Sequence, residues 1–249
     1  MYICVVGDIH GKINQMYAEV VAFESTLSIR FDYVLQVGDF GIWTNDGVVD
    51  RATRNHGDVG NFPIMWEENK VMPYSTIFIK GNHENFMWLE KQRIEILPGL
   101  FYLKNGTRFN IGNSLPLFIG GIGGCFGSSS YNKKSIDLKE FKKRHYTREE
   151  IDTLINLGSV HIFVTHDSPH GLELEHGIRG KYETQSIGLD DVAKELKPKI
   201  WFFGHHHRYI NTVVHGVKTV GLGRIGTPDS LIAIEVWNNL INVVGDNCR

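Results

Sequence analysis

An apolar run that closes at a glycine and delivers a polar cluster occurs three times in the first third of this chain. Residues 2–6 are apolar and β-branched, and Gly7 ends them before Asp8-Ile9-His10-Gly11. Residues 33–37 end in Gly38-Asp39-Phe40-Gly41, and residues 75–79 lead to Gly81-Asn82-His83-Glu84. Such runs read as buried strands. A helix is expected over 14–29, with Asn14 as its N-cap and Met16, Val20, Phe23 and Leu27 at helical spacing, and another over 85–92. The alternation predicts βα units, a largely parallel sheet and functional groups at the carboxyl ends of strands.

The middle of the chain changes character. Residues 43–61 are polar, with Asn-Asp-Gly and His-Gly-Asp turn signals, and read as a surface excursion. Residues 107–111 and 115–119 read as an antiparallel pair turning near Gly112-Asn113. The run Gly120-Gly121-Ile122-Gly123-Gly124 lacks the Gly-Lys-Ser/Thr of a phosphate-cradling loop. It is either a close-packed strand end or a loop lining a site. Residues 133–148 are rich in lysine and arginine; a solvated helical face and contact with a polyanion are the two readings. Thr147-Arg148-Glu149-Glu150 resembles a capping box for a helix to Leu157. Strands at 160–165 and 199–203 end in His166-Asp167 and in Gly204-His205-His206-His207, with a helix over 189–196 between them. Residues 209–214, 217–222, 231–236 and 240–244 suggest a second, antiparallel sheet.

At 249 residues the chain is long enough for one large domain or two small ones. No linker, low-complexity segment or tandem repeat divides it, so a single α/β domain over 1–249 is expected, two sheets with helices outside. Hydrophobic residues make up 42% and charged residues 22%, as in soluble globular proteins, and a net charge of −2 gives no global pull toward nucleic acid or membrane. Cys4, Cys125 and Cys248 are too few and too scattered for a disulfide framework or a thiolate zinc site, which points to a reducing cytoplasm. The amino terminus reads as no signal peptide, and no run is long enough to span a bilayer, so no membrane partner is expected.

Asp8, His10, Asp39, Asn82, His83, His166, His205 and His207 all fall at or just beyond apparent strand ends. On an extended backbone His205 and His207 share a face and His206 points elsewhere. Taken alone, Gly-His-x-His is equally a solvated loop, and His83 alone is more simply a structural histidine. Together the carboxylates, amide and imidazoles suit manganese, iron or zinc and hold too much nitrogen for calcium. A carboxylate can bridge two cations at ~3.5–4 Å, and water bound in such a centre ionises near neutral pH, so no protein base is needed.

Asp8-Ile9-His10, Gly38-Asp39, Gly81-Asn82-His83-Glu84, His166 and Gly204-His205-His206-His207 resemble, in order, the five blocks of the calcineurin-like metallophosphoesterases. The resemblance implies a four-layer α-β-β-α sandwich with two mixed sheets and a centre of two divalent metal ions, manganese first among them. By position, Asp8, His10 and His207 would hold the first metal and Asn82, His166 and His205 the second, with Asp39 bridging. His83 would protonate the leaving oxygen or stabilise phosphoryl charge. The second block here is Gly38-Asp39-Phe40-Gly41-Ile42-Trp43, without the later aspartate and arginine of the protein-phosphatase branch, Gly-Asp-x-x-Asp-Arg. A looser similarity to the RNA lariat-debranching branch lies in the Gly-Asp-Phe block, Ile119-Gly120-Gly121-Ile122 and Thr165-His166-Asp167-Ser168-Pro169. That branch commonly has cysteine where this chain has His10.

The leading expectation is a phosphodiesterase that hydrolyses a nucleotide or nucleic-acid diester by attack of a metal-bound hydroxide. The alternatives are a phosphomonoesterase acting on a nucleotide or phosphoprotein, and a non-catalytic binding scaffold on this fold. The physiological substrate and the oligomeric state stay open at this level.

Overall fold

In the computed structural model the described residues are 1–45, 49, 53–54, 59–112, 115–175, 180–238 and 240–244. The strands are β1 (Tyr2–Val6), β2 (Tyr33–Gln36), β3 (Ser75–Phe78), β4 (Glu95–Leu97), β5 (Leu100–Tyr102), β6 (Thr107–Asn110), β7 (Phe118–Ile122) and β8 (Ile162–Thr165). They continue as β9 (Glu173–Glu175), β10 (Lys181–Glu183), β11 (Ile200–Phe203), β12 (Ile210–Val214), β13 (Val217–Gly221), β14 (Leu231–Trp237) and β15 (Leu240–Val244). The helices are α1 (Ile13–Leu27), α2 (Phe62–Glu67), α3 (Phe86–Leu89), α4 (Ser128–Tyr131), α5 (Arg148–Leu157) and α6 (Leu189–Leu196).

Two large mixed sheets result. One runs β15-β14-β1-β2-β3-β5-β4 and the other β12-β13-β11-β8-β7-β6. The four middle neighbours β1, β2, β3 and β5 are parallel, as are β13, β11, β8 and β7, and antiparallel strands flank both sets. Register sets the height at which the loops leave. Val6 pairs with Gln36 and Gln36 with Phe78, while Ile122 pairs with Thr165 and Thr165 with Phe203. The polar clusters therefore depart at one level, along the carboxyl edge of both sheets.

Side-chain alternation builds the layers. In β1, Ile3 and Val5 face the second sheet with Leu35, Ile77, Val164 and Phe202, while Cys4 and Val6 face α1 with Met16 and Val20. On the far side Phe163 and Trp201 pack under α5 and α6, against Ile151, Leu154 and Val192. This is the expected α-β-β-α sandwich. No described helix is long and apolar enough to cross a membrane.

Several sequence expectations shift. Helix α1 starts at Ile13 with Lys12 before it, so Asn14 is no N-cap; its N–H donates to Asn61 Oδ1 at 3.1 Å. The second strand of the hairpin is displaced from 115–119 to Phe118–Ile122, and of the turn expected near Gly112-Asn113 the second residue lies outside the described residues. Gly120 and Gly121 extend it because a Cβ there has no room: at Gly121 it would lie 2.8 Å from both Ile79 Cγ2 and Leu103 Cδ2. The close-packed reading of the glycine run is the one observed.

The excursion at 43–61 begins in the core, with Trp43 2% and Thr44 6% exposed, while most of its turn signals lie outside the described residues. Residues 133–148 form no long helical face; two 3₁₀ turns, Ser135–Asp137 and Glu140–Arg144, precede α5. The capping box is present, Thr147 Oγ1 accepting from Glu150 N–H and Glu150 from Thr147 N–H. The last four strands do not form a sheet of their own. β12 and β13 complete the six-stranded sheet, and β14 and β15 return to the seven-stranded one, where Ile232, Ile234 and Val236 fill the core between the sheets.

Candidate metal centre

The strand-end loops bring all eight expected residues to one place. Asp8 is fully buried, and both its oxygens accept the His205 backbone N–H at 3.1 Å. Its Oδ2 lies 3.0 Å from His207 Nε2, which in turn is 3.0 Å from His10 Nε2. Asp8, His10 and His207 thus offer ligand atoms that all lie within 4.8 Å of one another. Asp8, Asp39 and His166 form a second such group. Asn82 Oδ1 lies 2.9 Å from His166 Nε2, and the His166 and His205 rings are 5.0 Å apart.

Asp39 stands between the two groups. Its Oδ1 accepts the backbone N–H groups of Asn82 at 2.7 Å and His83 at 2.8 Å. Its Oδ2 faces His166 Nε2 at 3.5 Å and His10 Nδ1 at 3.8 Å. One oxygen is fixed by the third block, and the other is left to the imidazoles of both groups. His166 is oriented to match, since its Nδ1 lies 3.0 Å from the Val37 carbonyl. An N–H donated there leaves the Nε2 lone pair for a metal, a common arrangement for ligating histidine. The donor set is oxygen and nitrogen converging from separate strands, and it fits two divalent cations.

The electrostatics agree. Burial works to raise the Asp39 pKa, but the charges of His166, His10, His83 and His205 hold it far below the carboxylate range. At Asp8 burial is outweighed by the His207 hydrogen bond and the His166 charge, and the carboxyl is again lowered. Two carboxylates stay ionised in a fully buried site, as cation binding requires.

The backbone is contorted to achieve this. His10, Asp39, His205 and His207 have φ of 45°, 54°, 69° and 54°. Such left-handed residues cost about 1–3 kcal/mol each and gather at functional sites. His205 and His207 therefore sit in a turn and not on the extended strand expected from sequence, and they join different donor groups, His207 with Asp8 and His10, His205 with Asp167 and His206. Gly204 permits the turn's approach, since a Cβ there would collide with Asp8 Oδ1, and one at Gly81 would collide with Asp39 Oδ1.

Some contributors escaped the sequence reading. Glu84, buried in the third block, accepts the N–H groups of Phe40 at 2.9 Å and Gly41 at 3.1 Å, and that of Ile42, and so shapes the loop that carries Asp39. Burial and the Asp39 charge push its carboxyl up to about 8, against backbone donors that favour the ionised form. Gln36, the one polar side chain in the run 33–37, donates to Gly7 O at 3.1 Å and accepts Gly38 N–H at 3.0 Å, tying the first block to the second. Its place in an apolar strand was the available signal. His83 Nδ1 lies 3.3 Å from Thr53 Oγ1, a contact from outside the five blocks. His206 does not turn away from His205 as the alternation predicts: its ring lies 4.9 Å from that of His205, with Tyr182 Oη 2.9 Å from its Nδ1 and Ser168 Oγ 3.1 Å from its Nε2. Asp167, His205 and His206 form a third group of convergent donors.

Residues 1–209 match the family described as calcineurin-like phosphoesterase. The chain belongs to this family. Members of it are metal-dependent, in keeping with the Asp/His clusters here. Among curated proteins the chain is 24% identical over 258 residues to a lariat debranching enzyme of Entamoeba histolytica, covering 94% of this chain and 72% of that protein. It is 27% identical over 250 residues to the lariat debranching enzyme of Schizosaccharomyces pombe, covering 86% of this chain and 50% of the relative. The chain thus spans between half and about three quarters of the length of these two relatives. Among solved structures, a putative 5′-nucleotidase from Staphylococcus aureus superposes with a TM-score of 0.53 at 14% identity, over 97% of this chain and 52% of that one. That likeness concerns the fold.

Proposed function

We propose that the chain is a dinuclear metal-dependent phosphodiesterase that hydrolyses a nucleotide or nucleic-acid diester, acting as one domain over 1–249. The observation that carries this is the posture of Asp39, one oxygen held by two backbone N–H groups and the other facing histidines of both donor groups. Asp8, His10 and His207 would hold the first cation and Asn82, His166 and His205 the second, with Asp39 shared between them. Two divalent cations held there, manganese by preference, would supply Lewis acidity for phosphoryl transfer to water. His83, with Nδ1 beside Thr53 and its ring 5.7 Å from that of His10, would donate the proton to the leaving alkoxide.

The diester reading is favoured over the monoester one by the lack of a phosphate-clamping arginine in the second block, and by curated relatives named for debranching. The cytoplasm suits Cys4 and Cys125, both free thiols; burial pushes Cys125 up to about 12. Hydrolysis of bis(p-nitrophenyl) phosphate against p-nitrophenyl phosphate by the manganese-loaded protein tests the proposal. A higher kcat/KM on the diester is expected. Preference for the monoester would overturn the diester reading, and inactivity on both would favour a binding scaffold.

A further inference from the structure

Resting on the diesterase reading, the geometry points to a strand-binding track beside the metal centre, in which Arg224, Arg208 and Tyr182 hold the backbone phosphates and a base of a single-stranded polynucleotide. Arg224 lies in the loop after β13, and both its neighbours are held by backbone hydrogen bonds, one of them to the site. Ile225 N–H donates to the Asp8 carbonyl at 2.8 Å, and Gly223 N–H to the Asp229 carbonyl at 2.9 Å. Just before them, Leu222 N–H donates to Phe203 O at 2.9 Å, at the end of the strand that carries the histidine run. The Arg224 side chain is exposed, its charge acts on His207, and among the described residues it has no ion pair or side-chain hydrogen bond.

Arg208 follows His207 directly and is likewise exposed and without an ion pair among the described residues. Its charge acts on Tyr182, which the β9–β10 hairpin carries to the site. The Tyr182 ring is 36% exposed and 6.0 Å from the His206 ring, which lies 4.9 Å from that of His205. A phenol face beside one metal position, with two guanidinium groups near the histidine run that make no ion pair among the described residues, is the combination used on single strands: cations for phosphates, an aromatic ring for a base. Neither arginine is placed by the second block, so they do not replace the absent clamp on the scissile phosphate. They suit the phosphates that flank it.

The test compares wild type, Arg224→Ala, Arg208→Ala, Tyr182→Ala and Tyr182→Phe, all manganese-loaded. The readouts are kcat/KM on a uridine decanucleotide, a thymidine decanucleotide and bis(p-nitrophenyl) phosphate, and anisotropy binding of a fluorescent phosphorothioate decanucleotide from 50 to 300 mM salt. Each arginine variant should weaken strand binding about 5-fold near 0.1 M salt and make the log–log salt slope shallower by ~0.7. The ratio of oligonucleotide to small-diester kcat/KM should fall by a similar factor, on the RNA and DNA strands alike. Tyr182→Ala should weaken binding about 5-fold or more without changing the salt slope, and Tyr182→Phe, which keeps the ring, should bind as wild type.

An unchanged ratio with unchanged slope overturns the track. Equal losses on the small diester would move the arginines to the scissile phosphate and overturn it too. An effect confined to the RNA strand would assign the contact to the 2′-hydroxyl and overturn the backbone reading. Wild-type protein inert toward every diester, yet showing the expected slopes, would overturn the diesterase reading while supporting the track.

Discussion

Thr53 Oγ1 lies 3.3 Å from His83 Nδ1, and the His83 ring lies 5.7 Å from the ring of His10. The hydroxyl is thus one of the contacts that hold the ring of the histidine assigned as proton donor, and it suits either tautomer because it can donate or accept. Thr53→Val keeps the shape and removes the partner. A neutral hydrogen bond of this kind is worth about 0.5–1.5 kcal/mol, so kcat on a ribose-leaving diester should fall roughly 2- to 10-fold. Metal content should not change. A variant with wild-type kcat on that substrate would remove Thr53 from the account.

His83 itself should show its role through the leaving group. General acid catalysis matters most when the leaving alkoxide is poor. His83→Ala is expected to lower cleavage of a dinucleotide by roughly 10²–10⁴-fold, and cleavage of nitrophenyl esters far less. Equal losses on both substrates would mean that His83 stabilises phosphoryl charge. Loss of a metal would place it in the coordination shell.

His207→Ala and Asp8→Ala should each empty the first metal position and leave the protein folded. The two side chains contribute to the loops at the strand ends, whereas the fold rests on Ile3, Val5, Val164, Phe202 and their neighbours in the core between the sheets. Elemental analysis should give fewer metals per chain, with an unchanged far-ultraviolet circular dichroism spectrum. Two metals per chain in either variant contradicts the ligand assignment.

His206 predicts a pH dependence of stability. Burial, with the His205 charge, lowers its pKa from the ordinary 6.5 to about 4. Between those values the unfolded chain binds a proton that the folded one does not, so stability is full above pH 6.5 and falls as pH drops toward 4. In metal-free protein, Tm should drop more between pH 7 and 5 for wild type than for His206→Asn. Equal drops would show that His206 titrates alike in both states.

Much of this was legible beforehand because strand ends carry their chemistry in adjacent residues. Gly7-Asp8, Gly38-Asp39, Gly81-Asn82, His166 and Gly204-His205 each mark a point where a buried strand leaves the sheet, and the register brings them level. The sandwich followed from period-two burial, as in Ile3 and Val5 against Cys4 and Val6. What could not be read was long-range. Thr53 reaches His83 across 30 residues and Glu84 reaches Ile42 across 42, through contacts that no local pattern encodes. The left-handed backbone at His205 and His207 was hidden too, since non-glycine residues give little sign of positive φ. The partition of the last four strands depended on which sheet edge lay open, a property of the assembled fold.

The central claim is that Asp39 joins two metal ions into one hydrolytic centre, and its most direct test is Asp39→Asn. The metal-loaded wild type should carry two metals per chain and cleave bis(p-nitrophenyl) phosphate. The variant keeps the side-chain oxygen that accepts from Asn82 and His83 but loses the charge shared by both cations. It should hold fewer than two metals and lose at least about 100-fold in kcat/KM. Two metals per chain with near-wild-type turnover in Asp39→Asn would contradict the account.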